Sequence, residues 1–419
     1  MMTKIVIAGG GFAGINLAKG LAGKKDLEVV LVDKNNYHFF PPLLYQVATA
    51  FIEPSNITYP FRKMFQGKQN VHFYYGTLLS VHKEEKHIIT DSGRVDYDFL
   101  VLAMGTETNF YGLENLKKKA LPIKTIDDAL HLRNHLLINM EKAVKTTDLQ
   151  QRAKLLNLVI AGGGPTGVEL AGMAGEMSKH IVRKDYPELG EATGNIYLVG
   201  SGDNLLGPMS QKAQQESYKQ LFKLGVQIKL GVAVKDYIDD EVILSNGEKI
   251  STCSLIWASG VVAANVPGLP DESRGRGGRL MVDAYNRLSG SDTVFAIGDI
   301  CYQTTDKNYP DGHPQLAQVA IQQGKLLAAN LLNSMLGKRM KPFKYLNKGS
   351  MAIITKHQAV VDLAFGSFKG YLAWLTWLFV HIIPIAGFRN KAKLAYNWFW
   401  SFLTNDPNLR LIIRVKKAS

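Results

Sequence analysis

Two copies of one glycine fingerprint occur in this chain, Gly9-x-Gly11-x-x-Gly14 near its start and Gly162-x-Gly164-x-x-Gly167 in its interior. Each follows a β-branched run, residues 4–8 and 158–161, and precedes a segment of helical period that begins at Phe12 or Thr166. Strand, tight turn and helix in that order form a dinucleotide cradle. The first two glycines allow the turn and the approach of a pyrophosphate, the third lets helix pack on strand, and the helix start offers free amides to phosphate. A chain with both loops is expected to bind two dinucleotides.

The copies differ at the end of their second strand. In the first, residues 27–32 run into Asp33, nineteen residues past Gly14, where a carboxylate can accept hydrogen bonds from ribose hydroxyls. In the second, an insertion at 179–193 precedes the strand at 195–199, which runs into Gly200-Ser201-Gly202-Asp203 with no acid at its end. No Arg or Lys follows to receive a ribose phosphate. This favours NADH over NADPH, with Asp203 as a substitute acid.

At 419 residues the chain exceeds what one hydrophobic core usually organises, and its alternating strands and helices imply parallel sheets. Residues 71–75 and 86–90 read as hairpin strands, and 99–103 as a buried strand ending in Met104-Gly105-Thr106. A helical stretch at 127–144 leads into the second nucleotide unit, which closes with a strand ending at Gly260. A last strand, 293–297, delivers Gly298-Asp299 ahead of a helix expected from about Pro314 to Leu332. No charged and apolar leader precedes the first strand, so secretion is not expected. The two cysteines, Cys253 and Cys301, exclude a disulfide framework and a Cys-x-x-Cys pair. No metal-ligand cluster, nucleophile elbow or His-Glu-x-x-His motif appears, so no metal is expected.

The formal charge of +13 raises nucleic acid as a partner, but no helix-turn-helix spacing, zinc-ligand set or aromatic-basic interleaving supports it. Much of the excess lies at one end. From Ser367 onward stand Lys369, Arg389, Lys391, Lys393, Arg410, Arg414, Lys416 and Lys417 against the single carboxylate Asp406, with Trp374, Trp377, Trp398 and Trp400 among them. Indoles seat at headgroup level while Lys and Arg meet anionic lipid. Residues 370–388 carry no formal charge but are interrupted by His381 and Pro384. In 391–403 one helical stripe holds Leu394, Trp398 and Phe402, with Phe399 and Leu403 beside it, and another holds Lys393, Asn397 and Ser401. The pattern favours a helix pair lying in one leaflet. It also admits a hairpin packed on the chain's own core or a dimer interface, and a single span at 370–388.

The residues resemble the two-dinucleotide-binding-domain flavoproteins, with Gly298-Asp299 matching that family's second FAD motif. Within it they resemble the type II NADH:quinone oxidoreductases through Pro42-Leu43-Leu44-Tyr45-Gln46-Val47-Ala48, Gly163-Gly164-Pro165-Thr166-Gly167-Val168-Glu169, Ala317-Gln318-Val319-Ala320-Ile321-Gln322-Gln323-Gly324 and Gly387-Phe388-Arg389-Asn390. The resemblance covers essentially the whole chain. It implies an α/β fold of two Rossmann-like domains, a discontinuous FAD domain (1–118 and 285–345) with an NAD(P)H domain (119–284) inserted, and a C-terminal helical membrane-attachment region (346–419).

It further implies non-covalent FAD on Gly9, Gly11, Gly14, Asp33, Gly105, Asp299 and Gln318, and NADH on Gly162, Gly164, Gly167, Glu169 and Gly260. Hydride would pass from NADH to flavin and two electrons on to a quinone, without proton pumping. Glu169 would position the nicotinamide or relay a proton, although a carboxylate in the first turn of a helix also serves as a plain dipole complement. Gln318 and Gln322, one helical turn apart, would face the quinone, or stand on a solvated face. The helix start near Pro314 would face the flavin ring. Tyr45 and Gln46 would line the flavin or quinone side, or simply pack. A homodimer, peripheral on the cytoplasmic face of the cell membrane through 370–417, completes the expectation. Two other classes share the fingerprints: a soluble NAD(P)H-dependent reductase with a protein acceptor, and a non-catalytic membrane-docked redox sensor.

Overall fold

The computed structural model describes residues 2–190, 194–404 and 410–413. They form two compact units, each assembled from separated stretches of chain: residues 1–39, 58–107 and 261–348 in one, and 40–57, 108–260 and 349–419 in the other.

The first unit is built on a five-stranded parallel sheet. Its spatial order is Val294–Ala296, Phe99–Leu102, Thr3–Ala8, Leu27–Asp33, Val71–Tyr75. The run Ile5-Val6-Ile7-Ala8 is buried on both faces, as an apolar run in the middle of a parallel sheet must be. Helix Phe12–Leu21 packs against helix Ala317–Met335 on one face of the sheet. That contact is close because a side chain at Gly324 would meet the carbonyl of Ala13.

The second unit repeats the design. Its sheet runs Leu121–Pro122, Ser254–Trp257, Leu158–Ala161, Ile196–Gly200, Gln227–Leu230, again all parallel with the fingerprint strand third of five. Helix Ile126–Lys145 is started by a capping box between Thr125 and Asp128. The C-terminal region of this unit opens on a three-stranded antiparallel sheet, Ser350–Thr355, Gln358–Leu363 and Gly366–Gly370, before helices Tyr371–Ile382 and Phe388–Thr404.

Two local expectations are corrected. Residues 71–75 are not half of a hairpin: Val71–Tyr75 is the parallel edge strand beside Leu27–Asp33, and His87–Thr90 pairs instead with Leu78–His82 and Gly93–Asp96. Helix Ala317–Met335 begins later than Pro314, which precedes its N-cap residue Leu316, so the proline terminates the preceding loop rather than opening the helix. The uncharged stretch 370–388 is broken into a twelve-residue helix and a turn at 383–387. Among the described residues no helix is long and apolar enough to cross a membrane.

The last helix also differs from its expected facing. Leu394 and Trp398 are buried against the chain's own second unit, and Ser401 is buried with them, while Phe399 and Leu403 are exposed beside Tyr396 and Trp400. Asn397, expected on a polar outer stripe, donates to Asn56 Oδ1 at 3.0 Å. Basic residues are partly spent inside the fold: Lys369 binds Glu216, Lys391 binds the carbonyl of Ile383, and Arg410 pairs with Asp185. The Phe402 side chain, Asp406, Arg414, Lys416 and Lys417 lie outside the described residues, as do the last three residues of the 179–193 insertion.

Candidate functional site: two glycine cradles and a buried acid

At the first loop the Gly9 amide donates to the Val32 carbonyl at 2.8 Å, and Gly9 takes φ +107. A side chain at Gly9 would press on the Ala103 backbone, and one at Gly14 would run into the Gly9 carbonyl. The turn is thus closed on both sides by main chain, and only hydrogen fits. Gly11 stands at the N-cap of helix Phe12–Leu21 with no side-chain cap, which leaves the first-turn amides for an anion. Asp33 ends the second strand as expected. Its Oδ2 accepts from the Gly10 amide at 2.6 Å and its Oδ1 from the Asn35 amide at 2.7 Å. Burial pushes this carboxyl up, against the two amides that hold it down.

Sequence reasoning missed His38 below this loop. Its Nδ1 lies 3.0 Å from the Gly10 carbonyl, and burial pushes the ring down to about 4. A neutral ring facing a carbonyl must carry its proton on Nδ1, so His38 donates to the loop that Asp33 holds from the other side. The signal was a polar residue in the apolar run His38-Phe39-Phe40, too short to stand out.

Around the same unit, Gly105 follows strand Phe99–Leu102 and its carbonyl accepts from Ala264 at 3.0 Å. Gly298 packs against Ala13 and Ala320, and its amide donates to Gln323 Oε1 at 2.7 Å. Gln323, fully buried, was passed over in favour of Gln318 and Gln322. Asp299 is half-buried, with Gln315 Nε2 donating to its carbonyl at 3.0 Å. Gln318 and Gln322 share a face of their helix, and both amides hold main chain. Gln322 donates to the Leu346 carbonyl at 2.9 Å and accepts from the Leu346 amide at 3.1 Å, and Gln318 Oε1 accepts from the Lys348 amide at 3.1 Å. The face is therefore neither bare nor merely solvated.

The second loop repeats the first. Gly162 takes φ +130 and donates to the Val199 carbonyl at 2.7 Å, a side chain there would press on the Ala258 backbone, and one at Gly167 would run into the Gly162 carbonyl. Gly164 stands at the N-cap of helix Pro165–Met177, again uncapped by a side chain. Gly260 closes the unit: it takes φ +91 and its carbonyl accepts from Asn109 at 3.3 Å.

Glu169 is the fifth residue of its helix, not part of the first turn, and it points inward. Its Oε1 accepts from the Ile353 amide at 3.4 Å, and burial holds the carboxyl well above the usual range, opposed by that amide. A dipole complement belongs at the exposed first turn, so the burial of Glu169 has another cause. Beside it, helix Leu44–Ala48 packs on helix Pro165–Met177. This short helix places Tyr45, 2% exposed, with its hydroxyl 3.1 Å from Gln46 Nε2, and Gln46 Oε1 accepts from Trp398 Nε1 at 2.8 Å.

Known proteins match this chain over nearly all of its length. Residues 3–324 match the family of pyridine nucleotide-disulphide oxidoreductases, and residues 347–405 match the NDH2 C-terminal domain. The type II NADH:quinone oxidoreductase Ndh of Mycobacterium tuberculosis is 32% identical over 96% of this chain and 88% of its own length. NdhA of the same organism is 31% identical over 96% and 87%. Among solved structures, NDH2 of Plasmodium falciparum in complex with NADH superposes with a TM-score of 0.88 at 22% identity, covering 99% of this chain and 100% of that one. The sulfide:quinone oxidoreductase of Aquifex aeolicus shares the fold more distantly, with a TM-score of 0.70 at 19% identity, over 97% of this chain and 92% of that one. With two glycine cradles, the C-terminal match and these relatives together, the chain belongs to the type II NADH:quinone oxidoreductases.

Proposed function

We propose that this chain oxidises NADH and reduces a quinone by way of non-covalently bound FAD, without translocating ions. The observation that carries the reading is the doubled cradle: two loops with the same backbone hydrogen bonds, each closed to any side chain and each opening on an uncapped helix. FAD is assigned to Gly9, Gly11, Gly14, Asp33, Gly105, Asp299 and Gln318, and NADH to Gly162, Gly164, Gly167, Glu169 and Gly260. The corresponding domains are 1–118 with 285–345 for FAD, 119–284 for NADH, and 346–419 for attachment. The strand Val294–Ala296 completing the first sheet supports the return of the chain to the FAD domain.

The residues present fit a flavin dinucleotide. The first loop leaves space that a Cβ would fill, and Asp33 offers a ribose acceptor while already bracing the loop through Gly10. When bound, FAD supplies the acceptor for hydride from NADH and the two-electron donor to quinone. The protein contributes position and proton handling. Quinol formation takes up two electrons and two protons, one carried with the hydride and one drawn from solvent. Glu169, buried on the helix that follows the second loop and with its carboxyl pushed up by that burial, is suited to orient a carboxamide or pass that proton. Gln318 and Gln322 fix the segment 346–348 and present their shared face to the quinone.

The same proposal seats the protein peripherally on the cytoplasmic face of the cell membrane as a homodimer. Its support is the helix pair, on which Leu372, Phe379, Phe388, Phe399 and Leu403 are all exposed. An exposed apolar set of that size on a folded protein marks an interaction surface. Binding to liposomes by flotation, and sedimentation in detergent, check the two parts.

Anaerobic stopped-flow tests the chemistry. Rapid bleaching of flavin absorbance by NADH, followed by rapid reoxidation with a short-chain ubiquinone or menaquinone analogue, is the expected result. Rapid bleaching with sluggish reoxidation by every quinone would overturn quinone as acceptor. Glu169→Gln is expected to slow bleaching while FAD content stays intact.

A further inference from the structure

We propose that Tyr111 is a substrate-contact residue of the NADH site, whose ring packs on the nicotinamide end of the dinucleotide. The proposal rests on the assignment of the second loop and Gly260 to NADH made above, and it deepens that reading by one residue.

The sheet of the second unit dictates how a dinucleotide must lie. The fingerprint strand Leu158–Ala161 has Ile196–Gly200 on one side and Ser254–Trp257 on the other, so the strand order reverses at it. A dinucleotide lies across such a crevice, with its pyrophosphate on the glycine loop and its adenosine ribose beside the end of the second strand. Here that strand ends in Gly200. The nicotinamide end is left with the opposite bank, residues 258–260, which follow strand Ser254–Trp257.

Tyr111 stands on that bank. A side chain at Gly260 would run into the Tyr111 hydroxyl, so the end of the phenol ring lies against Gly260. Asn109 ties the backbone beneath the ring in three ways. Its amide donates to the Gly260 carbonyl at 3.3 Å, its carbonyl accepts from Trp257 Nε1 at 2.8 Å, and its Oδ1 accepts from the Tyr111 amide at 2.8 Å. Buried Trp257 then meets both aromatic neighbours: Phe110 is stacked on it with ring centroids 5.9 Å apart, and Tyr111 is edge-on at 6.5 Å.

The two neighbours differ in what they cover. Phe110 is half-buried and packs against the core of the unit, whereas Tyr111 remains 60% exposed. The Tyr111 backbone is left-handed, at φ +52, and of the non-glycine residues with positive φ among the described residues it bears the largest side chain. A bulky residue in that region carries strain, and such strain gathers at ligand clamps. A ring kept exposed over the crevice, on a backbone that disfavours it, serves the ligand rather than the core. The flat nicotinamide ring is a partner of matching shape, and packing on it covers the exposed phenol face.

The test uses the full-length holoenzyme. Stopped-flow bleaching of the flavin gives the half-saturating NADH concentration, and ADP-ribose, which keeps the phosphates and riboses but lacks nicotinamide, is titrated as a competitor. Tyr111→Gly removes the ring while relieving the backbone, because glycine adopts φ +52 freely. In this variant the half-saturating NADH concentration is expected to rise about tenfold, with the ADP-ribose inhibition constant changed less than about twofold. Tyr111→Phe keeps the ring and is expected to stay within about twofold of wild type for both ligands. If Tyr111→Gly does not retain FAD, Tyr111→Asn, which tolerates the same backbone, replaces it with the same expectation. An unchanged NADH value overturns the proposal, and so does an equal rise for ADP-ribose, which would mean that the whole crevice had loosened. Tyr111→Phe as weak as the glycine variant would assign the effect to the hydroxyl and overturn ring packing. Gly167→Val bleached by NADH as readily as wild type overturns the parent assignment instead.

Discussion

The two glycine loops share a backbone and differ in how their rims are braced. In both, the first glycine donates to the second strand, at 2.8 and 2.7 Å, and the closing strand returns an amide to the fingerprint strand, Ala103 to Ala8 at 2.7 Å and Ala258 to Ala161 at 2.8 Å. At the first loop, Asp33 and His38 clasp Gly10 from its amide and its carbonyl. At the second, the corresponding strand ends in Gly200, whose Cα lies against Gly163 without a side chain between them. A cofactor that stays bound through turnover suits a clasped loop, and a co-substrate that must leave suits an open one.

The strongest way to break the comparison is to fill each cradle. Gly14→Val is expected to yield protein without flavin absorbance. Gly167→Val is expected to keep its FAD and lose roughly a hundredfold or more in kcat/KM for NADH, since either side chain meets a backbone carbonyl. Loss of FAD in both variants would show that the loops do not act separately. Next in size, Asp33→Ala removes a carboxylate that accepts two amides and is expected to weaken FAD binding by about ten- to a hundredfold, read by flavin release in a dilution titration. Gly200→Asp sharpens the same contrast from the other side. Its Cβ would meet Leu230 Cδ2 at 3.3 Å, and a lower NADH KM, with activity on NADPH reduced, is the expected result.

His38 gives the clasp a pH signature. Its folded value of about 4 lies below its unfolded one near 6.5, so the unfolded chain binds more protons between the two. Stability is therefore fully present above about 6.5 and falls as pH drops toward 4, by about 3 kcal/mol in all. In urea titrations His38→Gln is expected to flatten that acid limb. Glu169 has the opposite sign. Its raised folded value means that the native state holds the extra proton, so its contribution is present below about 4.5 and declines as pH rises toward the folded value. Glu169→Gln is expected to raise the Tm at pH 8 relative to wild type and to change little at pH 4.5.

What was legible in the sequence follows the range of the physics involved. The cradles were readable because every constraint on Gly9 and Gly14 is local: a strand, a turn and a helix within one short stretch. Asp33 was readable for the same reason. His38 and Gln323 were not, because each is defined by a partner distant in sequence, Gly10 or Gly298. Alternation in Val71–Tyr75 could not separate a parallel edge strand from a hairpin, since both show one face to solvent. The stripe holding Leu394 and Trp398 was visible, but a helix lying in lipid and a helix docked on its own protein write the same stripe. The partners Gln46 and Asn56 tell which face is which.

The discontinuity of the first unit governs the order of its assembly on the ribosome. The strand Phe99–Leu102 needs Val294–Ala296 as its outer neighbour, and helix Phe12–Leu21 needs helix Ala317–Met335. The earliest loop to emerge is therefore among the last to be supported, with an open sheet edge waiting while nearly two hundred residues are translated. Nascent chains are vulnerable to mispairing over that interval, and a flavin captured late would act as the seal on a unit that is already closed.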